Sequence, residues 1–183
     1  MTDYLLFRLY GPMASWGDIA VGENRPSLPH PSKSAVLGMV AAAVGIKRDE
    51  EDRQQQLSVG YGFSVLVHSI GTPLSDYHTV QVPSSGTGRN RRTFNTRRDE
   101  IVNMPGYKLN TILSRRDYRL DAFYTVVLWQ RAGAPYELKE LADKLNAPVY
   151  HLYLGRKSCP LALPVKAQVV SAASIKEAFT KAE

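Results

Sequence analysis

The chain has 183 residues, 44% of them hydrophobic, which suits one domain, or one domain with an insertion, around a real core. A single cysteine, Cys159, excludes an internal disulfide and a Cys-rich zinc site. The longest apolar run, residues 35–46, falls short of the roughly 20 residues of a bilayer span. Met1-Thr-Asp-Tyr lacks the basic start and apolar run of a signal peptide, so a cytoplasmic protein without a membrane partner is expected.

Residues 4–10 are β-rich and stop at Gly11-Pro12, which predicts a first strand. Residues 18–31 hold Gly, Pro, Asn and Ser and read as a loop. The run Ala35-Val-Leu-Gly-Met-Val-Ala-Ala-Ala-Val44 is apolar all round. It predicts a buried helix, capped by Ser32 or Ser34 and ended by Gly45 as its C′ residue. Residues 49–56 are charged and read as a solvated connection. Residues 61–70 predict a strand with Phe63, Val65 and Val67 on one side, and 74–82 a more polar one.

Residues 83–110 carry Ser, Gly, Asn and Arg with little apolar periodicity, which suits a projecting hairpin or a mobile loop. Residues 121–130 alternate as a strand. Residues 135–145 predict a helix with Leu138, Leu141 and Leu145 on one stripe and Pro135 in its first turn. Residues 149–154 read as a strand, 160–170 as extended chain and 174–182 as a terminal helix. The order β-α-β-β-(insert)-β-α-β predicts an α+β domain of ferredoxin-like (RRM-like) type.

The net charge of +6 has one source. Residues 89–119 hold nine Lys/Arg against three acids, while the rest of the chain carries fourteen of each sign. Concentrated positive charge is the footprint of a phosphate partner or an acidic protein. Eight of the nine are Arg, whose guanidinium binds phosphate in two-point fashion and stacks on bases. Phe94, Tyr107 and Tyr118 are interleaved and able to stack on unpaired bases.

The four histidines, His30, His68, His78 and His151, fall in no metal-ligand spacing, and no P-loop, GxSxG or Rossmann glycine pattern is present. A metal site and a cofactor are not expected. Asp76-Tyr-His-Thr79 sets a phenol beside an imidazole, the groups a metal-free ribonuclease needs as acid and base. Adjacent strand residues point to opposite faces, so Tyr77 and His78 meet at one phosphate only across a bulge. Trp16, directly after the first strand, reads equally as a half-buried anchor or a stacking platform. Ser32, Lys33 and Ser34 open the buried helix and form either a phosphate seat or an ordinary cap. Arg156 and Lys157 follow a strand and add cationic contacts. Cys159 reads as a packing residue.

Taken in order, these motifs resemble a known family. Leu9-Tyr-Gly-Pro-Met-Ala-Ser-Trp-Gly17, Arg25-Pro, Pro31-Ser-Lys-Ser-Ala-Val-Leu-Gly38, Gly45-Ile-Lys-Arg-Asp49, Asp76-Tyr-His-Thr-Val80 and Tyr153-Leu-Gly-Arg-Lys-Ser-Cys-Pro160 are similar to blocks of the CasD family. These are subunits of Cascade, the type I-E CRISPR surveillance complex. The resemblance implies a single RAMP-type (repeat-associated mysterious protein) domain over residues 1–183, with a ferredoxin-like core and an Arg-rich thumb inserted at about 83–110. It implies a non-catalytic subunit in antiviral defence. Such a subunit grips the crRNA 5′ handle, touches the neighbouring backbone and large subunits, and meets target DNA through the assembled complex. The RNA-binding set expected on this basis is Trp16, Arg25, Ser32, Lys33, Ser34, His78, Arg89, Arg91, Arg92, Arg97, Arg98, Tyr107, Arg156 and Lys157. In a sister subtype the equivalent protein cleaves precursor crRNA, so a metal-independent endoribonuclease using His78 and Tyr77 is the alternative. The thumb region is longer and richer in Arg than the family pattern. That pattern continues past residue 183, into a stretch that makes some of the contacts to the large subunit.

Overall fold

The structure, a computed structural model, describes residues 1–83, 94–103 and 109–181. Strand β1 (Thr2–Tyr10) lies inside a four-stranded antiparallel sheet of order β10-β1-β9-β6. Its partners are β6 (Tyr61–Ser69), β9 (Phe123–Gln130) and β10 (Gln168–Ala172). Period-two alternation divides the sheet into two faces. Leu5, Phe7 and Leu9 of β1, with Tyr124, Val126 and Leu128 of β9, point to one side. There they pack on helices α1 (Lys33–Val44) and α4 (Leu138–Asn146). Tyr4, Leu6 and Val127 point to the other, where the short helix α5 (Ile175–Thr180) adds Ala178. The fold is α+β, as its element order predicts.

Helix α1 forms where its apolar run predicts. Ser32 is its N-cap, with Oγ accepting from the Ala35 amide at 3.3 Å. Gly45 ends it at φ 92°, a left-handed conformation that costs glycine little.

Three expectations are corrected. Residues 49–56 are not a bare connection: helix α2 spans Glu51–Gly60 and buries only Leu57 and Gly60, too little to show as a sequence stripe. Residues 149–154 do not form a strand. The Val149 and Tyr150 amides donate to the Ala43 and Ala42 carbonyls at 3.0 and 3.1 Å, so this segment satisfies the open end of α1. The strand completing the sheet is β10, later in the chain. Helix α4 begins at Leu138, after Pro135. The Tyr61 phenol holds Tyr136 outside the helix, donating to its carbonyl at 2.5 Å and accepting from its amide at 2.9 Å.

Two long strands flank the insertion. Strands β7 (Thr72–Pro83) and β8 (Leu109–Leu120) pair in antiparallel register from Thr72↔Leu120 to Pro83↔Leu109. These paired limbs flank the insertion expected at about 83–110, of which residues 84–93 and 104–108 lie outside the described residues. Helix α3 (Arg97–Val102) lies between them in sequence. The root of this hairpin is clamped to the segment after β1. Strand β2 (Met13–Ala14) pairs antiparallel with β8, β4 (Asn24–Arg25) pairs parallel with it, and Ser15 Oγ donates to the Asp117 carbonyl at 3.0 Å. Between them β3 (Trp16–Gly17) and β5 (Ser27–Leu28) form a two-stranded pair.

Candidate nucleic-acid interface

Three stretches far apart in sequence meet along the outer side of α1. They are the turn after β1, the α1 surface with the residues following it, and the loop around 150–160. Ser15 donates its amide to the Leu154 carbonyl at 2.9 Å, and Leu154 donates to Cys159 at 2.8 Å. Gly155 closes this junction at φ 87°, where a Cβ would overlap the Ser15 carbonyl oxygen. Only glycine lets the two backbones come so close. Cys159 is fully buried and burial pushes its thiol pKa up, which suits a packing residue.

The result is a groove of about 960 Å³ lined by Ser15, Gly17, Ser34, Gly38, Lys47, Arg48, Tyr150, His151, Tyr153, Gly155 and Lys157, among others. Among the described residues, no aspartate or glutamate lines it. Arg48 and Lys157 make no side-chain hydrogen bond or ion pair among the described residues. A Cβ on Gly38 would stand in open space, so at that point a ligand can approach the helix backbone itself. Tyr150, 43% exposed, and Tyr153 supply aromatic surface beside the cations.

A second cationic cluster sits at the hairpin root, one residue from Lys157. The Arg156 guanidinium lies 4.8 Å over the Tyr118 ring, a cation–π contact. Its Nη2 donates to the Arg25 carbonyl at 3.3 Å, while its Nη1 is buried with no partner among the described residues. Arg25 pairs with Arg116 in the β4–β8 register, and its own Nη1 donates to the Gly22 and Asn24 carbonyls at 2.6 and 2.9 Å. A buried guanidinium N–H without an acceptor is costly, so this cluster favours an anion.

Several expected RNA contacts are spent inside the protein. Trp16 is 1% exposed and packs edge-on against Tyr124 at 5.9 Å, so neither of its faces is open to a base. It is a core residue, and the stacking-platform expectation is corrected. Lys33 does not face an anion. Its Nζ donates to the Ser58 carbonyl in the last turn of α2 at 2.8 Å, and partial burial, then Arg131, lower its pKa. Ser32 is an ordinary cap, 3.0 Å from Ser34 Oγ, and of the three residues opening α1 only Ser34 reaches the groove.

On β7, His78 Nε2 lies 2.8 Å from Asp76 Oδ2, while Tyr77, 61% exposed, takes the opposite face as alternation requires. Tyr77 and His78 therefore do not converge. Arg97 pairs with Glu100 and donates to the Gln81 carbonyl, which pins α3 to β7. Arg98 is exposed and unpaired among the described residues. Arg89, Arg91, Arg92 and Tyr107 lie outside the described residues. Sequence reasoning passed over Lys47, Arg48, Tyr150, Tyr153 and Arg116 as site residues, although Gly45-Ile-Lys-Arg-Asp49 stood among the motifs. Among the described residues, no three His, Cys, Asp or Glu side chains gather as metal ligands. None of the described helices is long and apolar enough to cross a membrane.

An α+β core that presents a carboxylate-free cationic groove beside an arginine cluster has the makings of a polyanion-binding domain. The chain belongs to the CRISPR-associated protein (Cas_Cas5) family, whose model matches residues 4–183. It is 34% identical over 173 residues to the CRISPR system Cascade subunit CasD of Escherichia coli (strain K12), covering 90% of this chain and 70% of that protein. Among solved structures it resembles a chain of a CRISPR RNA-guided surveillance complex, with TM-score 0.68 and 34% identity over 96% of this chain and 66% of that one. It also resembles a crystallised Cas protein, with TM-score 0.61 and 28% identity over 96% of this chain and 69% of that one. The chain thus spans about two thirds of the length of these solved relatives.

Proposed function

We propose that this chain is a non-catalytic crRNA-binding subunit of a type I CRISPR surveillance complex, and that it holds the crRNA 5′ handle in the groove along α1. The observation that carries this reading is convergence. The motifs at 11–17, 31–38, 45–49 and 153–160 come from four parts of the sequence, and each sends residues to one groove without a carboxylate. Lys47, Arg48 and Lys157 neutralise phosphates, Tyr150 and Tyr153 stack on bases, and Gly38 lets the strand lie close to the helix. Arg25, Arg116 and Arg156 carry the strand on toward the hairpin root.

The strand order β10-β1-β9-β6, with α1 and α4 on one face, supports a ferredoxin-like RAMP core in one domain. The β7–β8 hairpin is the thumb, reaching the neighbouring backbone subunit. Some of its arginines serve that protein and others the RNA. The large subunit and target DNA are met through the assembled complex, in the cytoplasm.

Replacing Lys47, Arg48 and Lys157 together by Ala tests this. Affinity for handle RNA should fall roughly tenfold or more at moderate salt, and the slope of log affinity against log salt should flatten by about 2, near 0.7 for each of the three phosphates. The melting temperature should stay put, since these side chains hold nothing internal together apart from the charge of Lys47 near Glu50. Unchanged affinity would sink the assignment.

A second reading, a metal-independent endoribonuclease, draws on the His78–Asp76 pair, an imidazole oriented by a carboxylate. With Tyr77 on the other face, only one of the two required groups is in place. Repeat RNA incubated with the chain in EDTA should stay intact. Specific cleavage that His78→Ala abolishes would establish the second reading instead.

A further inference from the structure

The sheet face opposite α1 and α4 is only half covered. Helix α5 caps one end through Ala178. The rest is an open groove of about 410 Å³, inside the range of roughly 300–1,000 Å³ that suits small ligand groups. It shares no lining residue with the groove along α1. Its floor is aromatic. His68 lies parallel on Phe123, ring centroids 4.5 Å apart and 20° between planes, and Tyr10 meets Phe123 edge-on at 6.0 Å. His68 Nε2 sits 2.9 Å from Thr125 Oγ1, which fixes the ring in its plane. His68 is an exposed residue.

The polar lining is all cationic or neutral. Arg8 and Lys166 contribute charge, and among the described residues no carboxylate lines the groove. Arg8 Nε donates to the Pro164 carbonyl at 2.9 Å, which holds the guanidinium in place with both Nη groups unpartnered among the described residues. Lys166 is also unpaired there, and its backbone is held at φ 52°, a conformation that costs a non-glycine residue of order 1 kcal/mol.

A flat, pre-oriented ring pair flanked by two cations, Arg8 held in place and Lys166 free to swing, matches one ligand chemistry, an aromatic base joined to anionic phosphate. We propose that this face is a second single-strand RNA site. One base stacks on the outer side of His68, extending the His68–Phe123 pair, and the adjoining phosphates meet Arg8 and Lys166. The choice of RNA over DNA rests on the proposed function above. The site itself rests on the face's own geometry.

The test uses the full chain and a single-stranded RNA oligomer substituted with 4-thiouridine, with photocrosslinked peptides mapped by mass spectrometry. Crosslinks are expected in the peptides carrying His68 and Phe123, separate from any at Tyr150 and Tyr153. His68→Ala with Phe123→Leu should remove the first set, leave the second, and lower oligomer affinity about fivefold or more. Should that pair fail to fold, Arg8→Gln with Lys166→Gln keeps the question open to measurement. Lys166 is exposed and Arg8 half-buried, and the pair of changes should reduce the salt slope by about 1.4, near 0.7 for each phosphate lost. Crosslinks confined to the α1 groove, with affinity unchanged in the sheet-face variants, would overturn this proposal and leave the handle groove standing. Crosslinks at His68 with none at Tyr150 or Tyr153 would contradict the groove assignment and uphold this one. Binding of free mononucleotides without binding of the strand, or a dimer of this chain that the same variants dissociate, would also overturn it.

Discussion

Tyr61 shows how much one polar atom decides. Its ring is buried at the start of β6, and its hydroxyl makes both hydrogen bonds that keep Tyr136 out of α4. Burial pushes its pKa up to about 12. A phenol with a raised native pKa favours folding in its protonated form. That contribution is whole below the unfolded value near 10 and is lost as pH climbs toward 12. Tyr61→Phe should cost about 1–3 kcal/mol at neutral pH, because it strands the Tyr136 amide in a partly buried setting. It should also flatten the decline in stability between pH 10 and 12 relative to the parent. Denaturant melts of the two proteins across that range check both points. At this scale the sequence was legible where chemistry is local. Ser32 as cap, Gly45 as stop and Cys159 as packing residue all depend on neighbours in the chain. Trp16 and Lys33 were not legible, because their partners, Tyr124 and Ser58, are remote in sequence and only the fold brings them close.

At the scale of elements, Lys33 links α1 to the C-terminal turn of α2, where a cation is favoured by the exposed carbonyls. Lys33→Met should therefore lower stability by about 0.5–1.5 kcal/mol and leave RNA affinity unchanged. A phosphate seat would behave the other way, with affinity falling and stability intact, so one melt and one binding curve separate the roles. Strongly periodic elements were readable: β1, α1, β6, β9 and the Leu138–Leu141–Leu145 stripe of α4. Strand β8 was hidden because only Tyr118 along it is buried, so it shows no two-residue alternation. Residues 149–154 carry a strand-like composition, yet their amides are more useful closing α1 than entering a sheet.

At the scale of the whole molecule, the charge excess and the groove are different things. The arginine-rich segment accounts for the net charge, but its described arginines sit on α3 and β8. There Arg97 braces α3, and Arg115 meets Ser75 at 2.7 Å and Asp117 at 3.4 Å. The groove draws on Lys47, Arg48 and Lys157, which stand out neither by number nor by clustering in the sequence. Motif order marked the stretches of chain that line the groove, while the meeting of those stretches is a tertiary property. The central claim is that handle RNA follows the groove along α1. A cryo-EM map of the complex with crRNA bound tests it most directly. The account predicts phosphate density beside Lys47, Arg48 and Lys157, with bases against Tyr150 or Tyr153. Handle density running elsewhere, with this groove empty, would contradict it.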